Sequence, residues 1–328
     1  QAKATMSQSQ FEREFGAIFT DDSSGYFKTS KMALCTVSDG ESPCVEVQGD
    51  PSSEYILAFD PSWAQTESSD DFAIQIHAEE QKVTLVHGYA LSGTSLKNHI
   101  DYFLFCLENF NIISVCGDYN GGVQFLQACN ESDAFKQKNI KLHTIEVGLD
   151  KPEEYQKGLQ SYKNQYNKKD YKYVILRKPT SHWIRQANEL LQANFDHRRL
   201  YFASRAIDDS YTTQKNKSIP IQNIKFLRTK EETNQNRGAK MIDFIEHQSD
   251  MIELTKNECA LIQITTTSQG TQTFDLPSNL RRQTGPDKAR KDSYSALVLA
   301  NWMAKVHFDS LNVQQEHVIE TFVPEFIM

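Results

Sequence analysis

From Tyr55 onward the chain alternates apolar runs with short polar breaks, and the spacing inside each run predicts an element. "YILAFD" is a continuous apolar run closing on Asp60 and reads as a buried strand. "FAIQIHA" and "KVTLVHGYAL" alternate with period two around a turn at Glu79–Gln81, so three strands in tight succession predict an antiparallel meander. "SLKNHIDYFLFCLENF" (95–110) then changes period. Leu96, Ile100, Phe103, Leu104 and Leu107 fall on one helical face, with Ser95 as N-cap. "NIISVCGDYNGG" predicts a short buried strand ending at Asp118 and a Gly-rich turn. "VQFLQACNESDAF" predicts a second helix and "LHTIEV" a further strand. The order to residue 147 is β-β-β-α-β-α-β, an α/β arrangement.

The pattern weakens over residues 150–235. "YKYVILRKP" reads as extended, "SHWIRQANELLQANFDHRRLYFA" as a helix from Ser181 followed by a strand, and "DDSYTTQKNKSIPIQN" as loop. A helix is expected from about Ala239 to Asn257, carrying Met241, Phe244, Ile245, Ile252 and Leu254. "CALIQITTTSQGTQTFDLP" predicts a hairpin turning at Ser268–Gly270. A last helix starts near Asp292 in "DSYSALVLANWMAKVHF". Residues 1–50 read as a connector: a polar, turn-rich start followed by a mixed, extended stretch up to the break at "QGDPSS". Residues 51–328 then form one domain, with 150–235 as an insertion or elaboration.

Bulk properties narrow the function classes. A chain of 328 residues with 39% hydrophobic and 24% charged content is that of an ordinary globular protein. No apolar run approaches the ~18–20 residues of a membrane span. "QAKATMSQSQ" has neither a basic nor an apolar signal region, and without an initiator Met it reads as a piece of a longer or processed chain. Six cysteines (Cys35, Cys44, Cys106, Cys116, Cys129 and Cys259) form no CxxC pair and are expected as buried free thiols in a reducing compartment. No Gly-x4-Gly-Lys-Ser/Thr loop occurs. The net charge of −8 argues against a general nucleic-acid coat, but its distribution is uneven. Residues 1–150 hold 9 Lys/Arg against 22 Asp/Glu, and residues 151–328 hold 26 against 21. The basic half offers a phosphate-facing surface.

Three acids stand where core is expected: Asp60 at the end of the first strand, Asp118 at the end of the strand after the first helix, and Asp292 opening the last helix. Singly, each has a structural explanation: strand end, turn former, or helix N-terminal acid favoured by the macrodipole. Jointly, buried carboxylates need partners. Three that converge make an oxygen-rich site suited to Mg²⁺ or Mn²⁺. An acid on the first strand of a meander, one ending the next parallel strand and one on a late helix is the layout of an RNase H-like nuclease. Arg281, Arg282, Lys288, Arg290 and Lys291 form a dense basic run before Asp292, either a solvated loop or a contact with the DNA backbone. His77 and His87 are expected as ordinary sheet histidines, His182 and Trp183 as helix-start packing, and His247 on the surface.

These motifs resemble the C-terminal nuclease domain of the large terminase subunit of tailed bacteriophages, the DNA-packaging motor. "FEREFGAIFTDDSSGYF" resembles the segment leaving that family's ATPase domain. "YILAFDPSWAQTESSDDFAI" resembles its first nuclease strand, metal-binding Asp and loop, "GDYNGG" its second acidic motif, and "FDLPSNLRRQTGPDKARKDSYSALVLANW" its third acidic motif and helix. The resemblance runs over most of the chain, although 150–235 matches no motif and the ATPase domain with its Walker motifs is absent.

The resemblance implies an RNase H-like mixed α/β sheet flanked by helices. It implies a Mg²⁺- or Mn²⁺-dependent endonuclease that cuts concatemeric double-stranded viral DNA into genome-length units with two ions. Asp60, Asp118 and Asp292 match the metal-binding acids, and Asp70 or Asp71, with Asp70 favoured, matches an accessory acid. Implied partners are double-stranded DNA, the ATPase domain of the same polypeptide, the portal and the small terminase subunit. No membrane is implied, and the location is the host cell cytoplasm. Two alternatives remain open: a non-catalytic RNase H-like module that binds DNA or docks on a portal, and a junction-resolving nuclease.

Overall fold

The computed structural model describes residues 25–62, 72–79, 83–92, 94–147, 171–205, 239–266, 272–283 and 288–321. In chain order the elements are α1 (Thr29–Leu34), β1 (Glu54–Asp60), β2 (Phe72–Glu79), β3 (Val83–Leu91), α2 (Leu96–Asn109), β4 (Ile112–Asp118), α3 (Tyr119–Glu131), α4 (Asp133–Gln137) and β5 (His143–Val147). There follow β6 (Tyr173–Arg177), α5 (Ser181–Asp196), β7 (Leu200–Phe202), α6 (Ala239–Leu261), β8 (Gln263–Thr266), β9 (Gln272–Asp275), α7 (Ser278–Arg281) and α8 (Asp292–Thr321). Asp70 and Asp71, the turn at Ser268–Gly270 and most of 150–235 lie outside the described residues.

Seven strands form a mixed sheet in the order β5-β6-β4-β1-β2-β3-β7. β1, β2 and β3 pair antiparallel, as their alternation predicts. β4 joins the other side of β1 in parallel, and β6 and β5 extend that half, also in parallel. A meander whose first strand lies centrally, beside a parallel strand reached through a helix, is the RNase H-like α/β arrangement. Tyr55 to Phe59 are all buried, because helices cover both faces of this central strand.

On one face the Phe59 ring meets Phe103 of α2 and Phe125 of α3, each at 5.4 Å between ring centres. That packing requires a glycine on the adjacent strand. Phe59 is the register partner of Gly117, and a Cβ there would stand 2.4 Å from the ring. On the other face α8 crosses β1, β2, β3 and β4 and packs against α5 and α6. Trp183 of α5 and Trp302 of α8 meet edge to face at 5.8 Å.

Three features differ from the pattern reading. The second predicted helix is two, because Ser132 ends α3 and its hydroxyl accepts from the Phe135 amide to start α4. Part of the stretch read as an extended connector is helical: α1. From residues 25–47, Phe27, Met32, Cys35, Val45 and Val47 enter the same core as the sheet. Their apolar spacing is too sparse to signal this; what holds them is pairing with later strands, as between Thr36 and Phe202 and between Cys44 and Ser204. Finally, His247, expected at the surface, is half-buried, and burial lowers its pKa. α6 packs against both β3 and α8, which leaves it less free surface than an edge helix has.

All six cysteines are buried free thiols, as expected. Among the described residues, no helix is long and apolar enough to cross a membrane.

Candidate active site

The parallel register brings the first two acids together. Phe59 and Gly117 are partners across β1 and β4, so Asp60 and Asp118 follow them on neighbouring strands, facing the side opposite Phe59. That is the side crossed by α8, whose first residue is Asp292. All three acids remain partly exposed.

Their proximity appears in the ionisation of Asp60. Its pKa is raised well above the usual carboxylate value, first by burial, then by the charge of Asp292 and then by that of Asp118. Ser295, one turn into α8 with its hydroxyl donating to the Lys291 carbonyl at 3.1 Å, and the charge of Lys291 work in the opposite direction. Asp118 is also raised, by burial, against the Asn120 amide, which donates to its Oδ1 at 2.6 Å. Asp118 thus serves as N-cap of α3 as well as lying in the cluster. The Gly-rich turn helps here: Gly121 has a φ of 84°, which turns the backbone sharply after Asp118.

Such a set suits a hard divalent cation. Its donors are all carboxylate oxygens, and they crowd like charges that a cation would relieve. Among the described residues, no three His, Cys, Asp or Glu side chains are already closed to metal-holding geometry.

The basic run before Asp292 is partly committed within the protein. Asp275, at the end of β9, binds Lys291 Nζ at 2.9 Å and Arg281 Nη1 at 3.2 Å. Burial would raise the pKa of Asp275, but Lys291, the Leu276 amide and Arg281 outweigh it and hold it below the usual value. Arg290 donates to Ser92 Oγ at 3.2 Å. Arg282 is exposed and Lys288 half-buried.

Pattern reading did not single out Ser295 or Asp275. Ser295 lies three residues after Asp292, on the same helical face, and that spacing was the available signal. Asp275 carries none, because its partners are set by how the hairpin folds against the loop.

No protein-family model matches the chain, and no curated protein matches it. Solved structures similar to it over most of its length include nuclease domains of large terminases. The large terminase nuclease from thermophilic phage G20c is 10% identical, with a TM-score of 0.42 over 83% of this chain and 95% of that one. The Thermus phage P74-26 large terminase nuclease domain is 10% identical, with a TM-score of 0.43 over 83% and 92%. The HK97 bacteriophage large terminase is 9% identical, with a TM-score of 0.42 over 85% of this chain and 43% of that one.

Proposed function

We propose that this chain is a divalent-metal-dependent endonuclease that cuts concatemeric double-stranded DNA into genome-length units during viral packaging. The observation that carries the reading is the placement of Asp60 and Asp118 at the ends of two adjacent parallel strands, on the face where α8 begins with Asp292, near enough that the charges of Asp292 and Asp118 add to burial in raising the pKa of Asp60. Asp60, Asp118 and Asp292 would together hold two Mg²⁺ or Mn²⁺ ions. Bound there, the ions would supply charge neutralisation at the scissile phosphate and activation of water for hydrolysis. The protein's own part is to fix the carboxylates. The Asn120 amide holds Asp118, and Ser295, whose hydroxyl donates to the Lys291 carbonyl at 3.1 Å, lies close enough to Asp60 to favour its charge. Lys291, beside Asp60 and paired with Asp275, sets a positive charge at the mouth of the site. Arg281, Arg282, Lys288 and Arg290 would contact phosphates on either side. The accessory acid at Asp70 or Asp71 belongs to this reading, as do an ATPase domain on the same polypeptide, the portal and the small subunit as partners.

The test is cleavage of a linear duplex by the purified chain with Mg²⁺, Mn²⁺, Ca²⁺ or excess EDTA. Cutting with Mg²⁺ or Mn²⁺ is expected, little with Ca²⁺, whose looser coordination matches tight octahedral geometry poorly, and none with EDTA. Asp60→Ala, Asp118→Ala and Asp292→Ala should each abolish cutting in a folded protein. DNA binding without cutting in any divalent ion would overturn the reading in favour of a non-catalytic binding module. Strong preference for four-way junctions over linear duplex would redirect it to a junction resolvase.

A further inference from the structure

The first turn of α8 is held by a side chain from another helix. The Lys291 carbonyl accepts the first helical bond, from the Ser295 amide at 2.9 Å, which makes Lys291 the N-cap. An ammonium cannot accept a hydrogen bond from the exposed amides of the first turn. At α2, α3, α4 and α5 the cap is local: Ser95, Asp118, Ser132 and Thr180 each accept from an amide two or three residues on. At α8 the acceptor comes from another helix. Glu258 of α6 is 3% exposed, and its Oε2 accepts from the Tyr294 amide at 2.9 Å. A carboxylate is well matched to that position, since it meets both an unsatisfied amide and the positive end of the helix dipole. The Tyr294 side chain is tied elsewhere, its hydroxyl donating to Asn188 Oδ1 of α5. The first turn of α8 is therefore pinned by two other helices, and Asp292 projects from that turn.

We infer that Glu258 is a positioning residue for Asp292: a cap supplied from α6 that sets where the first turn of α8 begins, and with it where the third carboxylate meets Asp60. The inference rests on the proposed role of Asp292 as a metal ligand. Groups that orient a ligand from outside the coordination sphere commonly change metal affinity by ~10–100-fold when removed. A residue that merely supports the fold would lower stability without a selective change in metal binding.

The experiment is a calorimetric Mn²⁺ titration of the parent chain, Asp292→Ala, Glu258→Ala, Glu258→Asp and Glu258→Gln, each checked for folding by circular dichroism. Glu258→Ala should weaken Mn²⁺ binding about tenfold. It should raise the Mn²⁺ needed for half-maximal cleavage in step, and leave metal-free binding to a linear duplex unchanged. Glu258→Asp keeps the charge but is one carbon too short to reach the amide, so it should lose affinity similarly and stands in should the alanine variant fail to fold. Glu258→Gln keeps an acceptor oxygen for the amide and should restore most of the affinity. Parent-like Mn²⁺ affinity in folded Glu258→Asp or Glu258→Ala, while Asp292→Ala loses affinity, would overturn the inference and leave the site intact. Parent-like affinity in Asp292→Ala would instead overturn the ligand role of Asp292, and the inference with it.

Discussion

At Asp60, burial and two neighbouring acids all disfavour the charge, and only Ser295 and Lys291 favour it. The consequence for stability has a definite sign. A carboxyl whose folded pKa lies above its unfolded value binds more protons in the folded state, so stability is lost as pH rises through that interval. Asp60→Asn should therefore raise the melting temperature of the metal-free protein more at pH 8 than at pH 4. Equal shifts at the two pH values would refute this. Asp60 and Asp118 stood out in the sequence because each closes an apolar run, and Asp292 because it opens the apolar last helix. Glu258 was not legible. It lies in an ordinary amphipathic stretch, and its role exists only because the end of α6 packs against the start of α8, a juxtaposition that periodicity does not encode. Asp275 is the same case, an acid in a hairpin whose partners come from a separate loop.

Among elements, the segment between β9 and α8 departs most from its sequence reading in what its charges are doing. Five basic residues in a short span suggest a free positive surface, yet Asp275 engages Lys291 and Arg281, and Ser92 accepts from Arg290. DNA phosphates would have to compete with these interactions. Replacing Lys288, Arg290 and Lys291 together with Ala should weaken binding to all duplex sequences alike. It should also shallow the log–log salt dependence by roughly 0.9 for each phosphate that the variant no longer neutralises. Binding and cleavage followed across a salt series, mutant beside parent, is the check. An unchanged slope with unchanged activity would make the segment a solvated connector. Strands and long helices were legible because their periods are strong over many residues. The short helices α1 and α4 were not, being too brief for a period to emerge, and in α4 the deciding signal is one serine that ends a helix and caps the next.

For the molecule as a whole, the β-β-β-α-β beginning specified the central sheet, because short connections leave the meander little choice of neighbour. The placement of β6 between β4 and β5 was not readable, since nothing local distinguishes the middle of a parallel half-sheet from its edge. The folded whole also has an acid limit. His87 is fully buried, with Nδ1 at 2.7 Å from the Glu46 carbonyl and Nε2 at 2.7 Å from the Tyr102 hydroxyl, and burial lowers its pKa to about 4. Burial lowers His99 and His307 to about 4 as well. The unfolded chain takes up these protons first, so the stability they contribute is complete above about pH 6.5 and lost as pH falls towards 4. For His87 alone the loss is about 3 kcal/mol, partly offset by the protonation that favours Asp60. Urea midpoints should fall between pH 7.5 and 4.5, and a flat profile would contradict the linkage. The order of the chain has a consequence of another kind. Asp60 and Asp118 lie in its first half, whereas Asp292 follows every strand of the sheet. If the three acids act together as proposed, a nascent polypeptide emerging from the ribosome would assemble most of its scaffold before the third carboxylate was in place, and an incomplete chain released early would lack that carboxylate altogether.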